Sequence, residues 1–222
     1  MTNSEVLTID VVSDVMCPWC FIGKKRLEKA LEDLPDVAIE IRWRPFQLDA
    51  SLPAEGKDRK KYLSDKFGSL DRAKEVYKRI GAAGDEEGIP FAFDKITKSP
   101  NTLNSHRLIL WSKAEGKQNE VVHRLFELYF LEGADLSKNE TLVEVAREVG
   151  MDAEAVAKLL ETDIDLERIK QDIENAHSMG VTGVPCMIID ERFALMGAEM
   201  PETIVAAVRH AQETKPGNTP EG

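Results

Sequence analysis

Cys17 and Cys20 stand three positions apart in "DVMCPWCFIGKKRLEKAL" (residues 14–31), with Pro18 and Trp19 between them. Two thiols at this spacing can pass between dithiol and disulfide, or can supply half of a zinc site. Zinc takes about four ligands. The remaining candidates are Cys186 and the histidines at 106, 123, 177 and 210, and none of these forms a second close pair. The flanks favour redox chemistry. An apolar, β-rich run over residues 6–13 precedes the pair, and an amphipathic stretch follows it. Strand, C-x-x-C, helix is the arrangement of a working dithiol. No metal site is expected.

The placement assigns roles. Cys17 falls at or near the helix N-cap, where unpaired backbone N–H groups favour a thiolate. Such positions lower a cysteine pKa from about 8.5 to between roughly 3.5 and 7.5. Cys20 lies one turn deeper. Cys17 is therefore the expected nucleophile and Cys20 the resolving thiol. Pro18 suits a first helical turn because it needs no N–H partner there. Trp19 offers a broad apolar surface beside the sulfurs.

A second informative stretch is "GVTGVPC", residues 180–186. Pro185 opens a strand-like segment. It reads equally as an ordinary strand-starting proline or as a cis proline that bares the Val184 backbone, since a cis X–Pro bond costs only about 0.5–1 kcal/mol. Cys186 follows it directly. A lone cysteine there reads first as a small buried hydrophobe and second as a redox neighbour.

The elements that must position these residues can be read from periodicity. Residues 37–46 alternate, with Ile39, Ile41 and Trp43 against Glu40, Arg42 and Arg44, as a strand does. Phe21, Leu27, Ala30, Leu31 and Leu34 give the first helix its apolar face, with Lys24, Lys25, Glu28 and Glu32 outside it. Residues 60–84 read as two helices broken around Gly68, and residues 86–102 as an aromatic loop. From Asn101 the chain reads as helices to about residue 178. Caps are expected at Asn101 or Thr102, at Asn119, at Asp152, and as a capping box at Ser137 with Glu140. Two short strands and a helix beginning at Pro201 close the chain.

The expected organisation follows. Residues 1–50 and 179–213 form one α/β unit, residues 51–178 a mainly helical insertion whose last helix leads back to the sheet, and residues 214–222 a disordered tail. Insertion at an exposed connection is physically easy.

The chain has 222 residues and a formal net charge of -11. That excess argues against nucleic acid and anionic membranes as partners. No run approaches the roughly 18 apolar residues of a membrane span. "MTNSEVLTID" lacks the basic and apolar regions of a secretory signal. Three cysteines are too few for a disulfide scaffold in a chain this long. A cytoplasmic protein is expected.

"SDVMCPWCFIGKKRLEKAL", "PNTLNSHRLILW" and "GVTGVPCMIID…GA" together resemble the DsbA-like thioredoxin superfamily, and most closely its FrnE-like branch. Relatives of that branch are the 2-hydroxychromene-2-carboxylate isomerases and kappa-class glutathione transferases. The resemblance covers nearly the whole chain. It implies a thioredoxin-like α/β fold with an inserted all-helical domain, and a cis Val184–Pro185 bond in a loop, residues 182–186, that faces the cysteine pair. It implies thiol–disulfide exchange on a peptide or small-molecule substrate, with no bound cofactor and with glutathione as a candidate co-substrate. The isomerase and transferase relatives carry serine at the first cysteine; this chain keeps both thiols. Asn101, His106, Thr182 and Cys186 then border the cleft as candidate substrate or glutathione contacts. The alternative is a glutathione-dependent small-molecule isomerase or transferase using the same cleft. The family includes monomers and homodimers.

Overall fold

The computed structural model describes residues 6–215. The chain opens with β1 (Leu7–Ser13), α1 (Pro18–Glu32) and β2 (Ile39–Pro45). A long excursion follows: β3 (Lys57–Asp58), α2 (Arg59–Phe67), α3 (Leu70–Glu86), β4 (Lys98–Ser99), α4 (Leu103–Ser112), α5 (Gln118–Glu127), α6 (Asn139–Glu148), α7 (Ala153–Leu160) and α8 (Leu166–Ser178). The chain closes with β5 (Cys186–Ile189), β6 (Phe193–Met196) and α9 (Pro201–Glu213). The four-stranded sheet has the order β2-β1-β5-β6, and β3 pairs only with β4.

β1 is the hub. It pairs parallel with β2, from Leu7 opposite Ile39 to Ser13 opposite Pro45, and antiparallel with β5, with Val12 opposite Cys186. Its apolar run is buried on both faces, which is why it does not alternate cleanly. Leu7, Ile9 and Val11 join the main core with α1 and the insertion, whereas Val12 joins a smaller cluster on the other side. The β5–β6 hairpin turns at Asp190 and Glu191, both with positive φ (51° and 57°). Arg192 N closes this turn on Ile189 O at 3.0 Å, and with Ile189 opposite Phe193 the connection spans three residues, 190–192.

The insertion is helical apart from the two-residue β3–β4 bridge, and it is clamped to α1. Phe21 of α1 stacks on Phe126 at 5.1 Å, and Arg26 Nε donates to Glu87 Oε1 at 2.7 Å. α8 returns toward the sheet, where His177 meets Phe46 with ring centroids 4.7 Å apart. Gly68 ends α2 at φ 80°, so the expected break falls where a left-handed residue is needed.

Several local expectations are corrected. Asn119 does not cap α5; Lys117 holds that position. Ser137 and Glu140 form no capping box: Ser137 Oγ turns to Asp135 and to the Glu55 carbonyl. Lys24 is not on the solvent face but 2% exposed, paired with Glu28. The first residues of the expected tail are held in place, with Arg192 Nη1 donating to Thr214 O at 2.9 Å. Residues 216–222 lie outside the described residues.

Candidate active site

The chain leaves β1 at Ser13, makes a turn through Asp14, and enters α1 at the cysteine pair. Cys17 is the N-cap, with extended backbone (φ -93°, ψ 113°), and Pro18 is the first helical residue. Its missing N–H costs nothing there. Cys17 N donates to Asp14 O at 2.9 Å and Cys20 N to Cys17 O at 3.0 Å, which folds the pair into one tight turn. Both cysteines are free thiols, 4% and 1% exposed respectively. Trp19 between them is 37% exposed, a large apolar surface at the pair.

The loop before β5 faces Cys17. The Val184–Pro185 peptide is cis, and Cys17 Sγ donates to Val184 O at 3.6 Å across 167 residues of sequence. Pro185 is pinned from two sides. Its carbonyl accepts from Gly197 N at 2.8 Å, and its ring lies on α1 at Gly23, where an added Cβ would stand 3.0 Å from Pro185 Cγ. A side chain at position 23 would push the loop away from the sulfur.

Burial pushes the Cys20 thiol well above the usual cysteine range, and the neighbouring Cys17 pushes it further; the Ser13 hydroxyl and the Asp14 backbone N–H pull it back only in part. Cys20 therefore rests as a protonated thiol at neutral pH. The Asp14 carboxylate is fully buried and organises the turn. Its Oδ2 accepts from Leu48 N at 2.8 Å, and His106 Nε2 lies 3.6 Å from Oδ1 while bonding Phe46 O at 2.8 Å.

The structure brings Cys17, Pro18, Trp19, Cys20, Val184 and Pro185 together. Thr182 is exposed in the same loop. His106 is 3% exposed, its ring committed to Phe46 O and Asp14 rather than to open surface. The Asn101 carboxamide is also committed: Nδ2 donates to Leu52 O at 2.7 Å, and Oδ1 accepts from Leu103 N at 3.0 Å. Cys186 packs in the smaller cluster with Val12, Phe46, Ala176 and Val181, where burial alone raises its thiol pKa. Ser13 and Asp14 were missed by motif reading. Their signal was a polar pair interrupting an apolar run just ahead of the first cysteine. Among the described residues no group of three or more His, Cys, Asp or Glu side chains is arranged to hold a metal ion.

The model of the DSBA-like thioredoxin domain matches residues 8–209. The chain belongs to this family. It is similar to a probable DsbA oxidoreductase of Streptomyces coelicolor, 28% identical with a TM-score of 0.87, over 97% of this chain and 93% of that one. It is similar in sequence to the uncharacterized protein YwbO of Bacillus subtilis, 26% identical over 215 residues that span 93% of this chain and 98% of that one. A 2-hydroxychromene-2-carboxylate isomerase shares the fold at 17% identity and a TM-score of 0.71, over 96% of this chain and 99% of that one. The chain is a thioredoxin-fold, DsbA-family thiol–disulfide oxidoreductase or isomerase that works through its closely spaced cysteine pair.

Proposed function

We propose that this DsbA-family member is an FrnE-like oxidoreductase of the cytoplasm, in which Cys17 attacks substrate sulfur and Cys20 resolves the intermediate. The observation that carries the reading is the position of Cys17 Sγ, at the head of α1 and 3.6 Å from the Val184 carbonyl, with Cys20 enclosed behind it. The Cys17 thiolate attacks a substrate disulfide, and one substrate sulfur leaves as a thiolate. Cys20 then attacks Cys17 Sγ, the mixed disulfide breaks, and the second substrate sulfur leaves. The pair has lost two electrons and the substrate has gained them; the reverse sequence oxidises a substrate dithiol. Trp19 and the Val184 backbone supply an apolar surface and a carbonyl for an extended peptide or a small thiol. Glutathione is the small co-substrate to examine first. The cytoplasmic location is supported by cysteine usage, three thiols of which two form the working pair.

Replacing Cys20 by Ser tests the assignment. Mixed disulfides on Cys17 should accumulate, located by peptide mapping after an acid quench. A Cys17→Ser protein that kept full exchange would overturn it. Turnover of small aromatic substrates by the Cys17→Ser, Cys20→Ser protein would favour the glutathione-dependent isomerase instead.

A further inference from the structure

Trp19, Gly23 and Arg26 fall on one stripe of α1, spaced four and three residues apart. Trp19 stands at the cysteine pair. Gly23 lies under Pro185, and a Cβ added there would also stand 3.6 Å from Ala198 Cβ. Arg26 comes next and is buried. Its guanidinium holds two segments that are distant in sequence: Nη1 donates to Ala198 O at 2.5 Å, and Nε to Glu87 Oε1 at 2.7 Å. Glu87, the residue after α3, is fixed in turn. Its other oxygen accepts from Lys29 Nζ at 2.6 Å, and its side chain is only 5% exposed.

Gly197 and Ala198 belong to a short strap between β6 and α9. Gly197 N donates to Pro185 O at 2.8 Å, so the strap carries the loop that faces Cys17. Ala198 O, one residue on, is what Arg26 holds. The line of contacts therefore runs from Glu87 through Arg26, Ala198, Gly197 and Pro185, and ends at Val184 O, 3.6 Å from Cys17 Sγ. The far end of this line is open backbone. Among the described residues the N–H groups of Thr182, Gly183 and Val184 make no hydrogen bond. Gly183 and Val184 are half-buried. Backbone donors so placed call for a partner, and an extended chain laid along Val184 supplies one as an added strand does. Such bonds form only within about 2.7–3.2 Å, so the position of the loop decides whether they form.

We propose that Arg26 is a positioning residue for peptide substrates: by tying Ala198 O to Glu87 it sets the height of the Val184 backbone above Cys17. The inference rests on Cys17 being the nucleophile. Arg26 touches neither sulfur nor substrate and takes no part in the exchange, which is the one given above. Its effect falls on substrates with amides on either side of their sulfur, because these align on the Val184 N–H and carbonyl. A small disulfide without amides has nothing to align and is indifferent to the loop. Arginine suits the task because its planar fork fixes two acceptors in one geometry, whereas a lysine ammonium is a point charge on a flexible stem. Glu87 lies in the insertion, so the insertion takes part in substrate choice without touching the substrate.

The test is a single turnover of reduced protein with two disulfides that release the same chromophore. One is an unstructured peptide whose central cysteine is capped with 2-nitro-5-thiobenzoate; the other is 5,5′-dithiobis(2-nitrobenzoate), which has no amides. For Arg26→Gln the half-saturating concentration of the peptide should rise about ten-fold, the loss of roughly one well-placed hydrogen bond, while the rate with the small disulfide stays within about two-fold of wild type. Arg26→Lys keeps the charge opposite Glu87 and should fall between wild type and Arg26→Gln; it carries the test if Arg26→Gln fails to fold. Val156→Ala, which opens a cavity in α7 away from the strap, lowers stability and should leave both substrates unaffected. Peptide saturation equal to wild type in both Arg26 variants would overturn the proposal. So would equal loss with both disulfides, or the same peptide-specific rise in Val156→Ala. Separately, a Cys17→Ser protein that released the chromophore from both disulfides as fast as wild type would remove the nucleophile assignment itself.

Discussion

Cys20 and Cys186 are both 1% exposed, and burial raises both thiols above the usual range. They lie on opposite sides of the sheet in different company. Around Cys186 stand Val12, Phe46, Ala176 and Val181, and nothing but burial acts on its pKa. Around Cys20 stand a second thiol, a hydroxyl and a backbone N–H. Burial alone makes a cysteine inert, since neither its thiolate nor a partner is accommodated. Burial with a thiol in contact and donors beside the sulfur makes one that waits, protonated, until a mixed disulfide forms next to it. The contrast lies in the lining and not in depth.

The largest expected effect comes from removing the sulfur that faces substrate. Cys17→Ser should lower exchange by a factor on the order of 10³ or more, because a hydroxyl is not a comparable nucleophile; reduction of a chromogenic disulfide checks it. Gly23→Val should come next. Its side chain must displace the Pro185 ring, so exchange should fall several-fold while the far-UV spectrum is kept. The sign of the pH dependence separates the two buried thiols in function. Because the Cys20 pKa is raised, its thiolate fraction and hence the resolution rate should climb as pH rises through neutrality, while alkylation of Cys186 in the native protein should stay slow over the same range.

Two smaller effects sharpen the comparison through stability. Burial raises the Glu87 carboxyl, but hydrogen bonds from Lys29 and Arg26 outweigh it and hold it below the ordinary carboxylate value. Its stabilising contribution is present above the unfolded pKa and lost as pH falls through the folded one. Glu87→Gln should therefore cost about 2 kcal/mol at neutral pH, with urea midpoints of mutant and wild type converging in acid. Cys186→Ala removes only packing. It should cost roughly 1–2 kcal/mol and leave exchange unchanged; a loss of exchange beyond that of stability would break the contrast.

Much of this was legible in sequence because it is local. A strand, a C-P-W-C and an amphipathic helix are adjacent in the chain, and the motif "GVTGVPC" needs only a superfamily pattern to be placed opposite them. What was not legible depends on distant segments. Lys24 reads as a solvent residue by helical periodicity, yet the insertion covers it. The β3–β4 bridge joins residues 57–58 to 98–99 with no strand-like run at either end. His106 and Asn101 read as cleft residues, but their polar atoms are taken by Phe46, Asp14, Leu52 and Leu103. Ser13 closes the β-rich run 6–13 and Asp14 follows it with no motif of its own. Their nearness to Cys20 arises only when the turn tucks α1 back over β1.

The central claim is that two of three buried thiols form one redox unit and the third does not. The most direct measurement is a redox titration against defined glutathione ratios, quenched in acid, denatured, alkylated and read by peptide mass mapping. The account predicts that Cys17 and Cys20 lose and regain their free thiols together, as one reversible disulfide, while Cys186 is recovered as a free thiol at every ratio. Glutathione left on a single thiol across the titration, or a disulfide that includes Cys186, would contradict it.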